Sequence, residues 1–501
     1  MIGPNAKIAT YHGGGSASLA AYYAVTPYDG ISAKLPSPAE YSVGCYSHKM
    51  LPLMGYVLKS KAGQQGMTMS VYNEPPSESN REKTDSVELL KTELLLVDYY
   101  NPKLKSPLWY ADFEGSFVAD EDATWELSLV VCGTAKLFVN GELIVDNATV
   151  QRQGDAFFGS STVEEKGFLK VKKGETYEVK VEFASAASSK LVDNSVLFGG
   201  GTLRVGGCKV IDADQEIARA AELAKGADQV IICAGLNADW ETEGSDREGM
   251  DLPPPMDDMI RAVAAANANT VVVMQSGTPV HMPWIDSVPA VVQAWYGGNE
   301  TGNVIADILF GDVNPSGKLS LSFPVRLRDN PSYLNYRTEG GRALYGEDVY
   351  VGYRYYEYAD REVLFPFGHG LSYTQFEFSD LSVAEKDGKL AVAVTVKNAG
   401  KVKGAEVVQV YVAPKQAARV NRPRKELKGF GKVHLEAGES VRHEIEIETK
   451  YAVSYWAEER SKWCGEKGDY EVIVSDSSEV KDSKALRATF SVPEDFWWSG
   501  L

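Results

Sequence analysis

Gln229-Val230-Ile231-Ile232-Cys233-Ala234-Gly235 is apolar and β-branched without alternation, and it ends on a glycine. Such a run suits a strand buried on both faces, as in a parallel sheet. Two more runs follow, at 270–274 before Gln275-Ser276-Gly277 and at 290–295 before a Gly-rich turn. Apolar residues at helical spacing predict helices over 215–225, 256–266 and 303–310. Strands alternating with helices in this way predict an α/β domain with a mainly parallel sheet covered on both faces.

Elsewhere the period is two. Trp109 to Phe117 and Trp125 to Val131 alternate, and Lys136-Leu137-Phe138-Val139-Asn140-Gly141-Glu142-Leu143-Ile144-Val145 carries a strong hairpin signal in Asn140-Gly141. After Phe365-Pro366-Phe367, alternation at 390–396, 405–412, 444–447 and 470–474 predicts a seven-strand immunoglobulin-like sandwich. The fold class is therefore α/β plus all-β. The expected divisions are 1–62 (first part of the α/β domain), 63–207 (an all-β insert), 208–374 (the rest of the α/β domain and a connecting segment) and 375–501 (the final sandwich). Residues 1–7 read as the tail of a strand, and since buried strands run about five or six residues, the start is expected to be a truncation.

A length of 501 residues fits about three domains, and 44% apolar with 24% charged residues is an ordinary globular composition. The net charge of −18 argues against nucleic acid or anionic membranes as partners, because both demand basic patches. It suits a neutral small-molecule substrate. Cys45, Cys132, Cys208, Cys233 and Cys464 have neither metal-ligand nor disulfide-framework spacing, so no metal is expected and the thiols read as reduced. No stretch reaches the ~18 apolar residues of a membrane span, and no basic-then-apolar leader opens the chain. The expected location is cytoplasmic, where the sequons at Asn147 and Asn299 carry little weight.

Past the first strand lies Trp240-Glu241-Thr242-Glu243-Gly244-Ser245-Asp246-Arg247. Sites in open α/β sheets collect beyond the carboxyl ends of strands. Carboxylates beside an aromatic suit acid/base chemistry, because burial and a neighbouring negative charge both raise a carboxyl pKa, and Trp240 offers a sugar ring an apolar face. The alternative is a solvated acidic loop with Asp246-Arg247 as a surface ion pair. Gly13-Gly14-Gly15-Ser16-Ala17 lacks the Gly-Lys-Ser/Thr ending and the GxGxxG spacing of phosphate loops, so a tight turn suffices for it. His281, alone after a strand, reads as structural.

Glu243-Gly244-Ser245-Asp246-Arg247 followed by Met250-Asp251-Leu252-Pro253 resembles the acid/base loop of glycoside hydrolase family 3, the β-glucosidase family. The resemblance continues in Gln293-Ala294-Trp295-Tyr296-Gly297-Gly298-Asn299-Glu300-Thr301-Gly302 and in Leu309-Phe310-Gly311-Asp312-Val313-Asn314-Pro315-Ser316-Gly317. It extends through Tyr350-Val351-Gly352-Tyr353-Arg354-Tyr355-Tyr356 and Leu364-Phe365-Pro366-Phe367-Gly368-His369-Gly370-Leu371-Ser372-Tyr373. It implies a retaining β-glucosidase mechanism with Glu243 as acid/base, Glu241 as the fallback and no cofactor. It also implies that 63–207 is a PA14 β-sandwich inserted in the α/β sandwich domain. In relatives with that insert, paired aromatics on a loop line the outer sugar subsite, a role that falls to Phe157 and Phe158. Arg422-Pro423-Arg424-Lys425-Glu426-Leu427-Lys428-Gly429-Phe430 resembles the fibronectin type III-like domain that closes such enzymes.

The family's nucleophile is an Asp in a Ser-Asp-Trp setting on an N-terminal barrel. No Ser-Asp-Trp occurs here and no stretch suits the ~250-residue barrel; Ala238-Asp239-Trp240 is a partial look-alike. The chain is therefore expected to be inactive alone on aryl β-glucosides. Its expected ligand is a β-glucoside or oligosaccharide, and homo-oligomerisation is left open. The competing readings are a non-catalytic carbohydrate-binding protein and a scaffold that pairs with a separate barrel chain.

Overall fold

The first apolar run forms the strand Val230–Gly235, which pairs in parallel with Thr270–Gln275; that strand pairs in parallel with Ala290–Gln293. The strand Thr270–Gln275 is buried throughout, as a central strand without alternation must be. Ile2 widens the sheet, bridging in parallel to Ile232 on one side and to Ser42 on the other. Its amide donates to Ile231 O at 2.9 Å, and Cys233 N donates to Ile2 O at 2.8 Å. The helices Ala213–Lys225 and Met256–Ala266 connect the later strands. The first is capped by Asp212, whose carboxylate accepts from Gln215 N at 3.0 Å; the second buries Met256, Met259, Ile260 and Val263.

This is a computed structural model that describes residues 1–19, 21–191, 199–480 and 485–500. The chain divides into two units, one of Met1–Glu248, Leu252–Gly277 and Pro283–Gly302, the other of Gly249–Asp251, Thr278–Met282 and the chain from Asn303 onward.

Within the first unit, two antiparallel sheets interrupt the α/β layer. Along the larger, Lys83–Leu89, Met67–Tyr72, Tyr110–Val118, Thr176–Ala184, Thr134–Val139 and Glu142–Asn147 lie in that order, with Lys59–Ser60 paired to Tyr110–Val118. The smaller runs Glu93–Leu95, Thr202–Lys209, Ala123–Cys132, Glu165–Val171. Their inward residues form one core that includes Trp109, Phe113, Leu127, Leu137, Val181 and Phe183. The Asn140-Gly141 signal is realised, with φ of 49° and 84°, the two left-handed positions a type I′ turn requires. Asn147 of the first sequon is fully buried, its amide donating to Leu129 O at 2.9 Å and to Thr162 Oγ1 at 2.8 Å, so its side chain is spent on the core.

The second unit contains a seven-stranded sandwich. One sheet is Phe376–Lys386, Lys389–Asn398, Ser440–Glu448; the other is Glu426–Leu435, Gly404–Pro414, Gly468–Ser475, Leu486–Val492. Leu390, Val392, Val394, Val410, Val472 and Val474 lie in its core. Lys318, from the segment before the sandwich, forms a 2.8 Å ion pair with the buried Glu406. The five cysteines are free, and burial pushes the thiols of Cys45, Cys208 and Cys233 up to about 12. Among the described residues no helix is long and apolar enough to cross a membrane.

Candidate active site

Beyond Gly235 the chain enters the acidic loop. Leu236 N donates to Gln275 O at 2.8 Å, and the amides of Trp240 and Glu241 both donate to Asn237 O, at 3.0 and 3.1 Å. This turn opens the segment that carries Asp239, Glu241 and Glu243.

Asp239 faces inward, 3.3 Å from the guanidinium of Arg204, which also pairs with Glu93 and donates to Leu51 O at 3.1 Å. Burial raises the Asp239 carboxyl against the pull of Arg204. Trp240 is fixed by its indole N–H, which donates to Ser47 O at 2.5 Å.

The two glutamates diverge. Glu241 turns in, its side chain 11% exposed, and accepts from Gly277 N at 2.6 Å and from the Tyr296 hydroxyl, with Arg247 4.0 Å away. Gly277 follows the second strand of the sheet and Tyr296 the third, so this carboxylate ties the loop to both neighbours. Burial, and then Glu241, raise the Tyr296 hydroxyl far above its ordinary value. Glu243 turns out. It is exposed and accepts from Ser16 N at 2.8 Å, and hydrogen bonds from Ser16 hold its carboxyl below the usual value.

The Gly13-Gly14-Gly15 turn packs on this loop. Gly14 N donates to Glu241 O at 2.8 Å. A Cβ at Gly14 would lie 2.4 Å from Ala238 O and from Thr242 Oγ1, and one at Gly15 would lie 2.3 Å from Glu243 Cβ. The glycines serve close approach to the acidic loop, which a sequence-based tight turn did not anticipate; three consecutive glycines were the signal.

From the β-sandwich, the segment 153–161 reaches the same loop. Phe158 is half exposed and packs where a side chain on Gly244 would stand, with Cδ1 2.7 Å from that Cβ position. Phe157 and Phe158 both hold left-handed backbone angles, φ 52° and 58°, a conformation that costs roughly 1–2 kcal/mol per non-glycine residue. Side chains staple the turn: Ser160 Oγ donates to Phe157 O at 2.6 Å, Ser161 Oγ to Ala156 O at 2.8 Å, and the Gln153 amide to Gly154 O and Ser161 O at 3.3 Å and to Gly159 O.

The structure thus brings Trp240, Glu241, Glu243 and Phe158 to one loop system, with Phe157 adjacent to Phe158 in the same turn. Tyr296, Arg247, Ser16 and Gln153 join them; the sequence placed Arg247 in the acid/base motif, with a surface ion pair to Asp246 as the alternative, and gave the other three no role. His281 pairs with Asp251 at 3.1 Å. Among the described residues no group of three or more His, Cys, Asp or Glu could hold a metal ion.

Comparison with known proteins adds a family context. Residues 1–373 match the glycosyl hydrolase family 3 C-terminal domain, and residues 406–478 match a fibronectin type III-like domain. The chain is 52% identical over 511 residues to a probable beta-glucosidase I of Aspergillus oryzae and 54% identical over 510 residues to that of Aspergillus clavatus. All of the chain is covered in each case, and it spans 60% of the length of each relative. Among solved structures, a beta-glucosidase from Kluyveromyces marxianus in complex with glucose superposes with a TM-score of 0.93 at 46% identity, covering 100% of this chain and 59% of that one. A beta-glucosidase from Streptomyces venezuelae in complex with D-glucose gives 0.65 at 27% identity, covering 98% and 55%.

Proposed function

The chain belongs to glycosyl hydrolase family 3, and from that premise we propose that it carries the acid/base half of a retaining β-glucosidase site, with Glu243 as the acid/base. In such a cycle one carboxyl group protonates the leaving oxygen and later deprotonates the incoming water, while a second attacks the anomeric carbon. The observation that carries the proposal is the outward-facing Glu243 beside Phe158, on a loop held at the carboxyl ends of three parallel strands. Glu243 is open to a substrate, whereas the Glu241 carboxylate is already engaged by Gly277 and Tyr296. That difference favours Glu243 over the fallback.

Phe158, with Phe157 behind it in the stapled turn, supplies an apolar wall for the leaving group. Trp240, its N–H committed to Ser47, contributes a ring face to the sugar site. The sandwich that delivers the two phenylalanines is read as a PA14-type insert over 63–207. The substrate is β-linked glucose at a chain end, a choice supported by the two glucose-bound relatives.

The attacking carboxylate is assigned to the part of the relatives that this chain does not span. Asp239, buried against Arg204, is unsuited to that role. On this reading the chain alone leaves aryl β-glucosides intact.

A chimera tests the assignment: this chain joined behind the amino-terminal region of the Kluyveromyces marxianus enzyme, assayed on 4-nitrophenyl β-glucoside. The chimera should hydrolyse it, and Glu243→Gln should lower turnover by roughly 10²–10⁴-fold, the usual contribution of a general acid/base. Full activity in the Glu243→Gln chimera would remove Glu243 from the mechanism.

A further inference from the structure

We propose that Ser16 is a positioning residue for Glu243: its backbone N–H, presented by the Gly13-Gly14-Gly15 turn, holds Oε2 of the Glu243 carboxylate and favours its ionised, proton-accepting state. The inference rests on the acid/base role proposed for Glu243 and assigns work to a turn that the sequence left without any.

Two features of the geometry make the contact a built one. The turn is docked, since Gly14 N donates to Glu241 O at 2.8 Å and its Cα lies too close to Ala238 O and Thr242 for any side chain. It also delivers its amide to one place. Ser16 N lies 2.8 Å from Glu243 Oε2, and Gly15, at φ +66°, approaches so closely that a Cβ there would be 3.1 Å from the same oxygen. The amide that follows the three glycines is thus taken by the protein's own carboxylate.

An N–H aimed at a carboxylate oxygen favours the charged form and opposes a proton on that oxygen. Glu243 lies below the ordinary value, with the Ser16 hydroxyl as the first cause and its N–H, at 2.8 Å, as the second. Of the other charged groups on and around the loop, some are paired and some exposed. Glu241 faces Gly277, Tyr296 and Arg247; Asp239 faces Arg204; Lys49 reaches Ser245 Oγ at 3.5 Å; Asp246 and Glu248 are exposed. A retaining cycle needs the acid/base carboxyl protonated in its first step and ionised in its second. The Ser16 contact favours the second, and the proton of the first falls to the other oxygen, Oε1.

The test is NMR titration of the purified chain. In the unmodified chain the Ser16 amide resonance should move with pH at the same midpoint as the Glu243 side-chain carboxyl, and Glu243→Gln should abolish that movement. Ser16→Ala, which removes the hydroxyl and keeps the N–H, should leave the Glu243 midpoint below the ordinary value; Ser16→Pro, which removes both, should return it to the ordinary ~4.3. A Ser16 amide indifferent to Glu243, or a midpoint unmoved by Ser16→Pro in a folded chain, overturns the inference. Neither readout uses hydrolysis. A chimera that stays active with Glu243→Gln while the titrations behave as expected would therefore sink the catalytic assignment and leave the contact standing.

Discussion

Phe158 occupies the space that a side chain on Gly244 would need: a Cβ there would lie 2.7 Å from the Phe158 ring. At this point the β-sandwich and the acidic loop meet ring against glycine, and Gly244 is required twice, by that contact and by its φ of +78°.

Gly244→Ala should displace Phe158 and open the turn that carries it. Limited proteolysis within 153–160 should speed up, with the midpoint of global thermal unfolding little changed. Cleavage kinetics matching the unmodified chain would show that the ring does not depend on this contact.

Tyr296→Phe removes one donor to the buried Glu241 carboxylate. Hydrogen bonds to charged groups contribute about 1.5–3 kcal/mol, so urea unfolding of the first unit should show a loss of that size. A loss under about 0.5 kcal/mol would mean that water replaces the hydroxyl and that Tyr296 does not hold the loop.

Phe157→Gly relieves a left-handed non-glycine residue at the cost of extra freedom in the unfolded chain, two terms of about 1 kcal/mol with opposite sign. The net change in stability should be under about 1 kcal/mol. Phe113→Ala, in the sandwich core, should cost about 3–5 kcal/mol. Comparable losses in the two variants would indicate that the Phe157 ring is packed as core.

Asp146 sets a pH dependence. Burial would raise its carboxyl, but the Thr149 hydroxyl, the amides of Ala148 and Thr149, and Lys136 outweigh that and hold it at about 2. A value depressed in the folded state gives stability that is present above the unfolded value, near 3.9, and lost as pH falls from about 4 to about 2. With partial exposure to solvent the increment is about 1 kcal/mol. The Tm gap between the unmodified chain and Asp146→Asn should therefore close across that interval; a constant gap would contradict the assignment.

Local pattern carried much of the architecture. The helix over 256–266 appears as Met256–Ala266 because its apolar spacing and its buried face coincide, and Asn140-Gly141 made its turn because few other dipeptides accept two left-handed residues in succession. Contacts remote in sequence were less legible. Ile2 pairs with residues 40 and 230 positions away, Ser16 with Glu243, and Tyr296 with Glu241. Nothing in the neighbourhood of Ser16 or Tyr296 announces a carboxylate partner, because the partner is brought there by the folding of other segments. The left-handed pair at Phe157-Phe158 ran against local preference, and it arises where side-chain staples from Gln153, Ser160 and Ser161 over-determine the turn.

The bridge from Ile2 to Ile232 also sets an order of events during synthesis. The sandwich strands between Lys59 and Lys209 find their partners among themselves and can assemble as soon as they clear the ribosome. The sheet that bears the acidic loop must wait until Ile232 has been made. At the usual elongation rates of about 5–20 residues per second, that delay is roughly 10–50 s. Throughout it, the first strand segment remains without one of its two neighbours, and its exposed edge needs shelter from pairing with other nascent chains.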